Sequence, residues 1–218
     1  MAAQSADVVN PVPGRRLTEA EWLIGRIGQL GHSWGTTSLR IAGTLWWCMV
    51  ASALVERIAR AYAQGEQAQT VALERLDFAV RPDGGIDQVH IRADSRESAG
   101  GAAELRATLA AVIAPVAEVS GAGVSSLWAI AADAIGNRAL DAGSPDAGAR
   151  LAAEVGGKLP APRFVEIGGR TFVRRISCCL VFEVPGCQMC TSCPKRPSDE
   201  RTALLAALAA ESRGTLMT

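Results

Sequence analysis

The sequence predicts an α+β fold with a helical majority, a small antiparallel sheet or hairpins, and a C-terminal cysteine-rich segment. Three observations predict it. Apolar residues recur at helical spacing over residues 18–63 and again over 102–155. Between and after these runs, residues 70–94 and 164–181 switch to short β-type alternation broken by turn residues. Cysteines are sparse until residue 178, and then five fall within residues 178–193.

The elements follow in order. Residues 1–16 read as a flexible, Pro-containing lead-in. Thr18-Glu-Ala-Glu21 has a capping-box pattern that opens a helix to about Gln29 or Leu30, and Gly31-His-Ser-Trp-Gly35 breaks it. A long helix is expected from about Ser38 to Ala63, apolar around nearly its whole circumference as far as Val55 and therefore internal. Val71 and Leu73, then Phe78 and Val80, then Ile86, Val89 and Ile91 read as short strands, the last two joined through Pro82-Asp-Gly-Gly85. Three helices are expected at 102–118, 123–140 and 145–155, with Pro115 late in the first. Phe164–Ile167, a Gly168-Gly169 turn and Phe172 to about Val181 form a hairpin. Ser198 opens a last amphipathic helix with Leu204, Leu205 and Leu208 on one side. The domain reading is a lead-in over 1–16, an α+β domain over 17–170, and a C-terminal segment over 171–218 packed on that domain.

Composition narrows the function classes. The 218 residues are 49% hydrophobic, which is globular rather than disordered. Lys plus Arg and Asp plus Glu both number 22, so no basic surplus points to a nucleic-acid partner. The longest apolar run, Ile41 to Val55, falls short of the roughly 20 residues of a membrane span. No transmembrane segment is expected, and with no apolar targeting segment visible over residues 1–16 the expected location is the cytoplasm.

The cysteines carry the chemistry. A disulfide framework spreads its cysteines to staple distant loops, whereas a dense cluster reads as a metal site in a reducing compartment. The text is Cys178-Cys179, ten residues, Cys190, two residues, Cys193, with Cys187 in the intervening loop. Thiolates are soft ligands, and four of them select zinc or iron–sulfur. The Cys190-x-x-Cys193 step lets two sulfurs reach one centre from a tight turn, and Pro185-Gly186 supplies the reversal. Cys178-Cys179 is unusual, because neighbours in a regular strand point to opposite faces. A two-iron cluster relaxes that demand, since each sulfur can bind a different iron, while a single zinc gives less latitude. The geometry tilts toward [2Fe–2S]. A four-iron site using Cys187, a zinc site, and free thiols or disulfides remain alternatives.

The segment resembles the ferric-siderophore reductases of the FhuF type. Their C-terminal signature is similar to Arg174-Arg175, Cys178-Cys179-Leu180-Val181-Phe182, Val184-Pro185-Gly186 and Cys190-Thr-Ser-Cys193-Pro194. Ser125-Ser-Leu-Trp128 through Ile135 resembles a helix of that family more weakly. The resemblance implies a [2Fe–2S] cluster held by Cys178, Cys179, Cys190 and Cys193, which passes one electron to Fe(III) held by a siderophore, often a hydroxamate. Cys187 stands where a Gly or another small residue is expected, and the chain is short on its N-terminal side relative to the family. The implied partners are a ferric siderophore and an electron-donor protein such as a ferredoxin or its reductase. Hydroxamate oxygens grip Fe(III) far better than Fe(II), so one electron releases the metal without a general acid or base. The rival reading is a non-catalytic module, holding zinc or a structural cluster, in a siderophore-associated or scaffold role.

Other residues have a functional and a structural reading. Arg174 or Arg175 can stabilise a reduced cluster or form a solvated strand face, with only one of the two expected to approach the sulfurs. Lys195 and Arg196 can form a docking patch or remain solvated charges. Trp46, Trp47 and Trp128 can line a groove but are expected in the core, as is Cys48. His32 and His90 have no ligand-like spacing. Gly84-Gly85 and Gly168-Gly169 lack the strand–helix context of a nucleotide loop, so electrons are expected from a partner rather than a bound nicotinamide.

Overall fold

The computed structural model describes residues 11–95 and 99–215. It is α+β, with 59% of the chain helical. Its centre is α2 (Leu39–Gln64). Ser38 caps this helix, its Oγ accepting from the Ile41 N–H at 3.4 Å, and Gly65 ends it in the left-handed conformation at φ +70°. Residues 41–47 are all buried, so this half of the helix has no solvent face. It packs against α1 (Ala20–Ser33), α3 (Ala102–Ser120), α4 (Val124–Asp141) and α5 (Pro145–Val155). By length and composition α2 passes as a membrane span, with a mean hydropathy of 1.3, but 67% of that window is buried within the fold, as in a core helix.

Trp46 and Trp47 are fully buried, and each burial stabilises the fold by upwards of about 2 kcal/mol. Their indole N–H groups also find acceptors: Trp46 donates to the Gly84 carbonyl at 3.1 Å and Trp47 to the Leu127 carbonyl at 2.8 Å. The first ties α2 to the strand turn, and the second ties it to α4. Trp128 is also buried, so all three tryptophans are core.

The strands form two antiparallel units. β2 (Leu76–Val80) and β3 (Ile86–Ile91) pair with Phe78 opposite Val89, and Leu76, Phe78 and Val80 face inward. Val71 and Leu73, expected as a strand, are buried but lie in and before a 3-10 turn over Leu73–Arg75. The outer place on β2 is taken by β1 (Val12–Pro13), with Val12 opposite Phe78. Proline suits this edge because it has no N–H to offer a ladder. Of the expected lead-in, residues 11–16 thus carry a strand and the start of a 3-10 turn, while 1–10 lie outside the described residues. The second unit is the hairpin of β4 (Phe164–Ile167) and β5 (Arg170–Val173). Gly168 and Gly169 both have positive φ, +60° and +75°, which a two-residue hairpin turn requires.

Two helix boundaries differ from expectation. The Thr18 hydroxyl donates to the Arg15 carbonyl at 2.8 Å and closes a 3-10 turn, so it caps nothing and α1 begins two residues later. Gly31 lies inside α1 rather than breaking it. A Cβ there would stand 2.9 Å from the Thr36 carbonyl oxygen, so the residue serves a close approach of the following turn. α6 (Ser198–Thr215) buries Leu205 and Ala209, one turn apart, while Leu204 and Leu208 are exposed.

Candidate metal centre

The hairpin delivers the chain to the site. β5 packs on α4, and after Val173 the backbone leaves the ladder. A buried carboxylate captures it there. Asp133 of α4, 3% exposed, accepts the Ile176 N–H at 2.9 and 3.0 Å on its two oxygens and the Ser177 N–H at 3.2 Å. Its Oδ2 also stands 3.8 Å from Arg175 Nε. Burial pushes the Asp133 carboxyl pKa up, and the two amides and Arg175 act against that.

The cysteines follow in a backbone bent for them. Leu180 has φ +64°, the one non-glycine residue with positive φ among the described residues. Its N–H reaches Cys178 Sγ at 3.4 Å, and the Val181 N–H bonds Cys179. The chain then makes a 3-10 turn over Val181–Glu183, reverses at Pro185-Gly186 and returns through Cys190-Thr-Ser-Cys193. Arg196, just before α6, and the first turn of α6 tie that last loop down. Arg196 donates to the carbonyls of Met189 at 2.7 Å and Cys190 at 3.1 Å and pairs with Glu200, and Arg201 donates to the Cys193 carbonyl at 3.4 Å.

The sulfurs come together as two pairs. Cys178 and Cys193 stand 3.7 Å apart, and Cys193 is buried. Arg175 joins Cys179 and Cys190, its Nη1 lying 3.5 Å from Cys179 Sγ and 3.6 Å from Cys190 Sγ. Two sulfurs at about 2.3 Å from one tetrahedral metal lie about 3.8 Å apart, so the first pair has a metal-binding separation. The neighbours Cys178 and Cys179, which lie outside any strand, belong to different pairs. Two pairs of thiols are the donor set of a two-iron cluster with four cysteines. Among the described residues, no three His, Cys, Asp or Glu side chains surround one point in the manner of a single bound ion.

The two thiols of this pair act on each other. The neighbouring Cys190 thiol holds Cys179 down to about 5, with the Val181 amide and Arg175 acting the same way. Cys179 in turn pushes Cys190 up, and burial adds to it. Burial is the largest of the effects that raise Cys178, and the Cys193 thiol adds to it. Burial would lower Arg175, but the sulfur of Cys179 outweighs it and the guanidinium is held firmly charged. Metal binding takes the ligating thiols to thiolates and releases their protons.

The remaining candidates divide. Arg174 is exposed, whereas the Arg175 side chain is 16% exposed and turned to the sulfurs. Cys187 is half-buried against the core and outside both pairs. Arg196 is engaged with the Cys190 loop, and Lys195 Nζ lies 5.4 Å from the Phe182 ring centroid. His32 and His90 are exposed. Cys48, expected as core filler, is half-buried and lines a cavity with Cys179 and Cys190, where burial pushes its thiol up to about 12. Asp133 was not singled out by sequence reasoning. Its signal is a lone acidic residue in the apolar run Leu127 to Ile135, where an unpaired charge is too costly to bury.

Two hollows flank the sulfurs. One, of about 420 Å³, is lined by Arg40, Thr44, Ser126, Cys178 and Lys195 among others. The other, of about 430 Å³, has Cys179 and Cys190 in its wall. A larger cleft, about 730 Å³, lies along the far end of α2 among Glu56, Arg57, Arg60 and Gln64, and has no cysteine in its lining.

Adjacent soft thiols, backbone N–H groups aimed at sulfur and a buried cation beside them define the class: an α+β protein with a cysteine-built centre for a soft metal. Comparison with known families agrees. Residues 175–195 match the FhuF 2Fe-2S C-terminal domain, which supports a FhuF-like C-terminal cluster-binding region with a [2Fe–2S] cluster as its cofactor. No curated protein matches the chain.

Proposed function

We propose that this protein is a cytoplasmic ferric-siderophore reductase that releases iron from its chelate, with Cys178, Cys179, Cys190 and Cys193 as the cluster ligands. The observation that carries the reading is the pairing of these four thiols beside Arg175, with open cavities on both sides. Bound there, a [2Fe–2S] cluster supplies a one-electron couple, the stoichiometry that takes one chelated Fe(III) to Fe(II). The protein's own residues do the rest. Arg175 places positive charge on the Cys179 and Cys190 sulfurs, which favours the more negative, reduced state. Asp133 fixes Arg175 and the backbone that follows it, and Arg196 and Arg201 fix the Cys190–Cys193 loop. The reading calls for an electron-donor protein such as a ferredoxin or its reductase, and a hydroxamate chelate as acceptor.

The test is a stopped-flow mixing of dithionite-reduced, desalted protein with a ferric trihydroxamate under anaerobic conditions, with a ferrous-specific chromogenic chelator present. Reoxidation of the protein together with stoichiometric coloured Fe(II) complex is the expected result. A reduced protein that no ferric hydroxamate reoxidises would overturn the assignment and leave a structural cluster.

A further inference from the structure

Cys178 and Cys193 form the one thiol–thiol contact of hydrogen-bond geometry among the described residues, at 3.7 Å. The sequence offers two shorter closures, between the neighbours Cys178 and Cys179 and across Cys190-Thr-Ser-Cys193. The fold instead lays the first cysteine of one arm against the last cysteine of the other. Each arm is held from a different helix. Asp133 of α4 takes the Ile176 and Ser177 N–H groups just before Cys178, and the Leu180 N–H reaches Cys178 Sγ. Arg201 of α6 donates to the Cys193 carbonyl, and the Cys193 N–H closes a turn on the Cys190 carbonyl at 3.1 Å. Cys179 and Cys190 have a different neighbour, the Arg175 guanidinium.

We propose that Cys178 and Cys193 are a redox switch on cluster loading: in the chain before cluster insertion or after cluster loss, a small disulfide oxidant of the glutathione type joins them, and the joined chain takes up no cluster until it is reduced. The inference goes beyond the reductase reading and stands whether or not the cluster reduces a ferric chelate. Bonded sulfurs lie about 2.05 Å apart, so this pair has about 1.7 Å to close, a shift within reach of side-chain torsions. Cys178 is the member that an oxidant reaches, since it is half-buried and lines the hollow of about 420 Å³, whereas Cys193 is 1% exposed. The Cys178 thiolate attacks glutathione disulfide, the S–S bond of the oxidant breaks, and one glutathione thiolate leaves. The Cys193 thiolate, the nearest resolving group, then attacks the Cys178 sulfur and expels the second glutathione. Two electrons pass from the pair to the oxidant, and the two thiol protons end on the two released glutathiones. The new bond removes two of the four donors, because a thiolate and not a disulfide sulfur is the metal ligand. It also holds both sulfurs in a form that a thiol reductant restores, unlike the sulfinic and sulfonic acids.

The test uses the full-length chain, freed of its cluster with a chelator under a thiol reductant, desalted without oxygen and equilibrated with oxidised glutathione. Free thiols are alkylated, and the chain is cut after Arg, Lys and Glu. Cleavage after Glu183 parts Cys178 and Cys179, in peptide 176–183, from Cys187, Cys190 and Cys193, in peptide 184–195. Mass spectrometry then tells a joined pair of peptides from a loop within one peptide, and fragmentation identifies the cysteines. Circular dichroism checks that the chain has kept its fold, and the same oxidation in concentrated guanidinium gives the pairing of the unfolded chain. In the unfolded chain the Cys190–Cys193 loop of four residues should form in preference to the Cys178–Cys193 loop of sixteen by about eightfold, from the three-halves power of the length ratio. In the folded chain that order is expected to reverse, with Cys178–Cys193 the main disulfide. The joined chain is expected to develop no [2Fe–2S] absorption when offered iron and sulfide, and to regain it after dithiothreitol. A main disulfide at Cys178–Cys179 or Cys190–Cys193, a crosslink to Cys187, the same pairing in the folded and unfolded chains, or a chain that loses its fold without the cluster would overturn the switch. So would loading that proceeds undiminished in the joined chain.

Discussion

Asp133→Ala is the substitution with the most to say about how the site is built. The carboxylate is 3% exposed and accepts two backbone N–H groups of the segment that leads into the cysteines, those of Ile176 and Ser177. Loss of the acceptor leaves those amides facing a hole, at about 1–3 kcal/mol for each group that stays buried. It also leaves the 16%-exposed Arg175 side chain without its counter-charge, and breaking a buried ion pair from one side costs about 3–5 kcal/mol. These costs overlap, because Arg175 keeps its contacts to Cys179 and Cys190 and the segment can swing partly into water. The net expectation is a loss of about 3 kcal/mol, read by urea denaturation of the loaded protein. Asp133→Asn keeps one carbonyl oxygen for the amides and loses only the charge, for about 1 kcal/mol. The local signature is sharper than the global one: the Ile176 and Ser177 amides should be protected from hydrogen exchange in the native protein and lose that protection in the alanine variant. A cluster potential that rises in Asp133→Asn is also expected, since a negative charge beside Arg175 is removed. Equal urea midpoints with both amides still protected in Asp133→Ala would refute the anchoring role.

Three further outcomes are expected. Cys187 stands outside both thiol pairs, so Cys187→Ala should retain the full cluster absorption per chain, whereas a bleached protein would make Cys187 a ligand. Tyr62 is the single tyrosine of the chain, and burial together with the 2.6 Å hydrogen bond to Glu154 raises its pKa to about 12. A 295 nm absorbance titration should find that midpoint and not the ordinary 10. Because the folded pKa lies above the unfolded one, this group's contribution to stability is intact below about pH 10 and is lost as pH rises toward 12. Gly43 lets α2 pass close to Ser120 at the end of α3, where an added Cβ would collide with the serine side chain. Gly43→Ala should therefore destabilise by about 1–3 kcal/mol in thermal or urea unfolding despite alanine's better helix propensity, and a more stable variant would contradict that packing.

Much of this architecture is legible in the sequence because local signals and tertiary packing agree. Gly121, Gly143-Ser-Pro145 and Gly156-Gly157 punctuate the three helices after residue 101, and the observed helices end within a residue or two of those marks. The Gly168-Gly169 hairpin is equally local. The sequence misleads where a side chain has more than one partner available. Thr18 offers a cap, but its hydroxyl bonds the Arg15 carbonyl. Val71 and Leu73 alternate like a strand, yet their place beside β2 goes to Val12–Pro13, about 60 residues earlier, which no local pattern announces. At the site, the spacing of Cys178, Cys179, Cys190 and Cys193 points to a soft-metal centre from the text alone. The way they divide into pairs depends on the path of the backbone through 178–193, which includes a left-handed turn at Leu180 that leucine gives no hint of adopting. Asp133 and Cys48 are distant in sequence from the cysteine segment and reach it only through the packing of α4 and α2.

The most direct test of the account is metal and sulfide analysis joined to EPR on protein purified without oxygen, for the unaltered chain and for Cys190→Ser and Cys193→Ser. The account predicts iron and acid-labile sulfide in equal amounts at the [2Fe–2S] stoichiometry, a spin-half signal that appears only on dithionite reduction, and loss of that cluster in both variants. Stoichiometric zinc with no sulfide in the unaltered protein, or an undisturbed cluster signal in both serine variants, would contradict it.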